Sequence, residues 1–111
     1  MRQTLFHLIV YIPLSHADLA RKALADAGAG RIGDYDSCSF STRGTSRFRP
    51  LKGADPTIGN EGTLEIVDEE KIEVVVTEKL LRDVLQAVKK VHPYEEPAIH
   101  VLPMEDYHDF L

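Results

Sequence analysis

Residues 4–12 read Thr4-Leu5-Phe6-His7-Leu8-Ile9-Val10-Tyr11-Ile12, an almost unbroken run of β-branched, aromatic and aliphatic side chains stopped by Pro13. Such a run is expected of a strand buried on both faces, so it predicts a central strand. Just downstream, Ser15-His16-Ala17-Asp18 fits a capping box variant: the Ser15 hydroxyl can accept the Asp18 N–H, and the helix dipole favours the Asp18 carboxylate. The helix predicted to start there carries Leu19, Ala20, Ala23, Leu24 and Ala27 at helical spacing, and Gly28 supplies the left-handed residue that ends it. Its narrow, alanine-rich face suits close packing on a sheet.

Further out the pattern is less regular. Tyr35-Asp36-Ser37-Cys38-Ser39-Phe40-Ser41 alternates imperfectly and predicts a second strand, with Ser46-Arg47-Phe48-Arg49 as a short third across a turn at Arg43-Gly44-Thr45. Residues 50–68 are Pro, Gly, Asn, Asp and Thr with scattered hydrophobes, and the whole excursion of about 42–68 reads as a functional or interface-forming loop. Strand character returns at Lys71-Ile72-Glu73-Val74-Val75-Val76. Thr77 can then cap a second helix, in which Leu80, Leu81, Val84, Leu85, Val88 and Val91 form one apolar stripe. Pro93 stops that helix, and Ala98-Ile99-His100-Val101-Leu102 gives a last strand before an acidic tail.

Strand, helix, strand or hairpin, strand, helix, strand is the split βαβ order of an α+β, ferredoxin-like sandwich: an antiparallel sheet with two helices on one face. The other face has no cover. A first strand that is apolar on both sides therefore predicts that another subunit buries it, making the protein a homo-oligomer.

Composition bounds the function. The 111 residues leave room for one domain over 1–111, and 43% hydrophobic with 28% charged residues is the balance of a folded chain. With 13 Lys and Arg against 18 Asp and Glu the net charge is −5, the wrong sign for gripping nucleic acid phosphates. One cysteine, no leading signal segment and no apolar run of membrane-spanning length predict a cytoplasmic protein away from membranes.

Gly28-Ala29-Gly30-Arg31-Ile32-Gly33 has the letters of a dinucleotide fingerprint, but it follows a helix and leads into a strand. That is the reverse of what pyrophosphate binding needs, so it reads as a helix stop and tight turn, with no nicotinamide cofactor. His92-Pro93-Tyr94-Glu95-Glu96-Pro97 is the densest polar cluster, stiffened by its two prolines. An imidazole with two carboxylates could hold a divalent metal through His92, Glu95 and Glu96, or move protons. Alternatively His92 caps the helix, Tyr94 packs, and the glutamates are solvated or pair with a neighbouring subunit. Cys38 is more readily a small packed residue than a nucleophile, since no orienting third residue accompanies it and His92. Arg31, Arg43, Arg47, Arg49 and Lys52 give the middle of the chain a positive excess that Glu61, Glu65, Asp68, Glu69, Glu70 and Glu73 reverse, a pattern that suits subunit pairing or an anionic small molecule. Cys38, Ser39, His92, Tyr94, Glu95 and Glu96 are the candidate ligand-binding residues.

The stretches GAGRIGDYDSCSFSTRGTSRFRPLKGADPTIG and HPYEEPAIHVLP together resemble the middle domain inserted in YqfO-type members of the Nif-three-like family, within the wider PII-like and CutA-like group. HPYEEPAIHVLP is also similar to the C-terminal stretch of CutA proteins. The resemblance runs from about residue 6 to about 103, with one departure at Ser46, where the family pattern has glycine. It implies a ferredoxin-like fold that forms trimers, with the 42–68 excursion placed where PII-like proteins carry their signalling loop. In the full-length family a two-metal site is built by flanking halves whose ligand motifs are not found here. The chain thus looks like the insert alone, and that metal chemistry is not expected of it. The resemblance implies a module without catalysis or cofactor that binds a small ligand or a protein partner at subunit clefts. A divalent-metal protein of CutA-like role is the alternative.

Overall fold

The computed structural model describes residues 3–111, so the first two residues of the expected 1–111 domain lie outside the described residues. The decisive run forms β1 (Leu5–Pro13), followed by α1 (Ala17–Asp26), β2 (Phe40–Phe48), β3 (Glu65–Thr77), α2 (Glu78–Val91) and β4 (Ile99–Met104). The sheet order is β2-β3-β1-β4, with every neighbouring pair antiparallel. This is the expected α+β, ferredoxin-like arrangement, and β1 lies inside the sheet as its composition requires.

Register separates the two faces. Leu8 and Val10 stand opposite Val74 and Ile72 on one side, and opposite Val101 and Ile99 on the other. These residues face the helices, where Ala20, Leu24, Val84 and Val88 complete a core that excludes water. Each fully buried Val or Leu contributes about 1.5–3 kcal/mol. The alternate residues of β1 face away from the helices. Among them Ile9 is only 7% exposed, shielded by polar neighbours on the same face: His7 Nε2 lies 2.9 Å from Glu73 Oε1, and the Tyr11 and His100 rings meet edge-on at 5.3 Å. Among the described residues the core positions of α1 and α2 pack on the opposite face, and Phe40, Leu102 and Met104 are exposed on this one.

Four local expectations are corrected. Leu14–His16 forms a 3-10 turn before α1, so Ser15 sits too early to cap and its hydroxyl lies 2.8 Å from His16 Nδ1 instead. Thr77 does hold the N-cap position of α2, but its side chain makes no capping bond, and the Glu78 N–H donates to the Thr4 carbonyl. In α1, Ala17 takes the core position and Leu19 points outward, 54% exposed. Finally, the turn at Arg43-Gly44-Thr45 does not exist. β2 runs straight through it, with Gly44 opposite Glu69, because the 13-residue β3 offers ladder partners as far as Glu65. Pairing thus outweighs the weak strand propensity of Ser, Arg and Gly. The long loop is accordingly 49–64, not 42–68, and residues 35–39 precede β2, with only a bridge between Ile32 and Tyr35.

Gly28 ends α1 as expected. Its φ is +104°, its N–H donates to Ala25 O at 3.0 Å, and the Ala29 N–H donates to Leu24 O at 2.9 Å. That is the paired closure in which a left-handed residue satisfies the last helix carbonyls.

Candidate functional site

The prolines of residues 92–97 set the site. A residue before proline is driven out of the helical region, and His92 accordingly leaves α2 at φ −71°, ψ 131°. This turns its ring inward, where it is buried. Nε2 lies 2.7 Å from the Tyr11 carbonyl, and Nδ1 accepts the Tyr94 N–H at 3.2 Å. A carbonyl only accepts, so Nε2 carries the proton and both ring nitrogens are engaged. Desolvation lowers the His92 pKa below the ordinary imidazole value, outweighing the Tyr11 hydrogen bond and the nearby Glu69.

Tyr94 lies between the His92 ring at 5.1 Å and the Phe48 ring at 5.9 Å, and its hydroxyl donates to Glu69 Oε2 at 2.8 Å. Burial first, and the Glu69 carboxylate second, push the phenol above its ordinary range. The 49–64 loop folds onto this segment: the Asp55 N–H donates to Glu95 Oε1 at 3.1 Å, and the Thr57 hydroxyl donates to the Pro93 carbonyl. Between loop, segment and the uncovered sheet face lies a cavity of about 260 Å³, walled by Tyr11, Phe48, Pro56, Ile58 and Tyr94 with Glu69 at its base. Glu95 and Glu96 also line it, and both are exposed residues.

Cys38 and Ser39 lie elsewhere. They border a separate cleft of about 330 Å³ with Arg21, Ala29 and Val74. The Cys38 N–H donates to Gly30 O at 2.9 Å, and the Gly30 N–H donates to Val75 O at 2.8 Å. Gly30 has φ +77°, and a Cβ on it would come within 2.4 Å of the Cys38 carbonyl oxygen, so close backbone approach explains this glycine of the GAGRIG stretch. Phe40 opens β2 beside Cys38, and Phe48 closes it beside Tyr94. The two groups are therefore roughly 27 Å apart along an extended strand, and the six candidate residues do not form one site within the chain.

The metal set of the alternative reading, His92, Glu95 and Glu96, is not drawn together in this arrangement. Neither His92 nitrogen has a lone pair to offer, since one carries its proton and the other accepts from Tyr94. Among the described residues, no group of three His, Cys, Asp or Glu is placed to hold a metal ion. Conversely, the sequence does not single out Glu69, Tyr11 or Phe48. For Glu69 the one signal is the alternation of β3, which puts Glu69, Lys71 and Glu73 on the face away from the helices.

Comparison with known proteins fits this architecture. No protein-family model matches the chain. It is 47% identical over 102 residues to a GTP cyclohydrolase 1 type 2 homolog of Halalkalibacterium halodurans, a match covering 92% of the chain and 27% of that protein. It superposes on a solved Bacillus cereus protein related to NIF3 with a TM-score of 0.83 and 41% identity, over 94% of the chain and 26% of that protein. The periplasmic divalent cation tolerance protein CutA of Archaeoglobus fulgidus shares the fold at a TM-score of 0.66 and 22% identity, over 92% of the chain and 85% of that protein. The chain spans about a quarter of the length of the curated relatives it matches.

Proposed function

We propose that this chain, which belongs to the Nif-three-like family as the counterpart of a quarter-length, CutA-like segment of its members, is a non-catalytic module of the cytoplasm. It assembles as a homo-oligomer, a trimer by its PII-like and CutA-like resemblance, and binds a small ligand or a protein partner at clefts beside the subunit interface. One observation carries this reading: the 49–64 loop and the 92–97 segment are tied together around a cavity on the same sheet face that exposes Phe40, Leu102 and Met104. A second copy covering the apolar part of that face would border the cavity.

The absence of catalysis is supported by how His92 is used. Its ring is a structural tie between β1 and the turn after α2, with no nitrogen free for proton transfer. Cys38, the other candidate reactive side chain, lies at the far end of β2. The GTP cyclohydrolase in the relatives' name is said of proteins of which this chain spans about a quarter, and that activity is not assigned to it.

Light scattering on the purified chain, beside thermal melts with nucleotides and divalent metals, tests the reading. A trimer mass without GTP turnover supports it. A monomer at all concentrations overturns the assembly, and GTP turnover by the chain overturns the non-catalytic assignment.

A further inference from the structure

Among the described residues Glu69 is the only buried acid, 4% exposed. Its neighbours across the ladder are Gly44 on β2 and Pro13 on β1, neither with a side chain able to donate a hydrogen bond. The arginine and lysine ion pairs of the described residues go elsewhere: Arg21 to Asp18 and Glu70, and Lys22 to Asp26. Tyr94 is the donor to Oε2. Oε1 has no partner among the described residues, yet no buried side-chain oxygen of those residues lacks one, so Oε1 keeps some exposure, and Glu69 lines both this cavity and a neighbouring cleft bordered by Arg43 and Lys71.

The rest of the cavity suits a cation with an apolar body. Phe48, Tyr94 and Tyr11 line it with aromatic rings, whose faces attract ammonium groups. Three glutamates line it against one basic residue, Arg47. A carboxylate withdrawn from water without an ion-pair partner is costly, and an ammonium donating to Oε1 would relieve that cost. The volume, about 260 Å³, falls below the roughly 300–1,000 Å³ of sites for drug-sized ligands, so the occupant is small.

We propose that this cavity binds a small primary amine, its ammonium donating to Glu69 Oε1 and its apolar body lying against Tyr94 and Phe48. The inference rests on reading the chain as a binding module and names the class of ligand.

Calorimetric titration of the full chain with tyramine tests it, beside its neutral counterpart para-ethylphenol and its acidic counterpart para-hydroxyphenylpropionate. Saturable binding of tyramine alone is expected, with about tenfold or greater weakening in Glu69→Gln. Equal binding of the three compounds, binding unmoved by Glu69→Gln, or no saturable tyramine binding into the millimolar range overturns the proposal. If Glu69→Gln does not fold, the three-compound comparison on the unaltered chain decides by itself. Light scattering and a GTP turnover assay in the same buffer separate the two readings. An inert trimer that ignores tyramine overturns this inference alone, whereas a monomer or a GTP-hydrolysing chain overturns the module reading whatever tyramine does.

Discussion

The phenol of Tyr94 and the carboxylate of Glu69, 25 residues apart in the chain, meet in a hydrogen bond of 2.8 Å. This contact fastens the turn after α2 to β3 and closes the base of the cavity. Stability and the shape of the cavity therefore depend on the same pair.

Replacing Tyr94 by Phe removes the one hydroxyl that donates to a buried carboxylate. The expected loss is about 1–3 kcal/mol, read from urea unfolding at neutral pH. Because folding raises the phenol pKa above its ordinary 10.0, Tyr94 adds stability that is complete below that value and is lost as pH rises beyond it. The urea midpoint should fall on the alkaline side of pH 10, and less steeply in Tyr94→Phe.

His92 acts at the other end of the pH scale. Its folded pKa lies below the unfolded value of 6.5, so the unfolded chain takes up the proton first as pH falls. Stability should hold above pH 6.5 and decline below it, down to the folded pKa. His92→Gln should flatten that decline in parallel urea titrations, and a mutant with the same acid slope as the parent would remove His92 from the account.

Two glycines of one motif should respond unequally to alanine. Gly30→Ala forces a Cβ to within 2.4 Å of the Cys38 carbonyl oxygen, while Gly33, with φ +55°, has nothing within 4 Å of its virtual Cβ. We expect a loss of about 3 kcal/mol or more for the first and about 1 kcal/mol for the second, compared by thermal or urea unfolding.

On the uncovered sheet face, Leu102→Glu should leave the core intact and lower the mass seen by light scattering to that of one chain. Leu102 is 49% exposed and opposes His7, away from the helices, so the charge meets water in the monomer and an apolar surface in the assembly. An unchanged oligomer would place the interface elsewhere.

The parts of the fold legible in the sequence are those whose residues decide their own state. β1 and the α2 stripe of Val84 and Val88 carry uninterrupted apolar patterns, and both form where the pattern lies. β2 reads as two pieces in the sequence because Ser41, Arg43 and Gly44 have little strand preference of their own and are extended by pairing with β3. The site is half legible. Prolines mark 92–97 as a rigid display, but nothing local distinguishes Glu69 from Glu65, Glu70 or Glu73. Its burial is created by Tyr94 and the loop, which arrive from elsewhere in the chain. His92 misleads for the same reason: its ring looks available until the Tyr11 carbonyl and the Tyr94 amide are placed beside it.

The sheet's two outer strands are chemically unequal. β4 contains Pro103, opposite Phe6, and proline is tolerated in an outer strand where its missing donor would have faced solvent. A foreign strand laid along β4 thus meets a gap in the row of donors, which blunts that side against runaway fibril-like addition. β2 has no proline in its nine residues and relies on Arg43 and Arg47 as charged gatekeepers. Any growth of the sheet by strand addition is therefore easier along β2 than along β4, with Arg43 and Arg47 as the charges that oppose it.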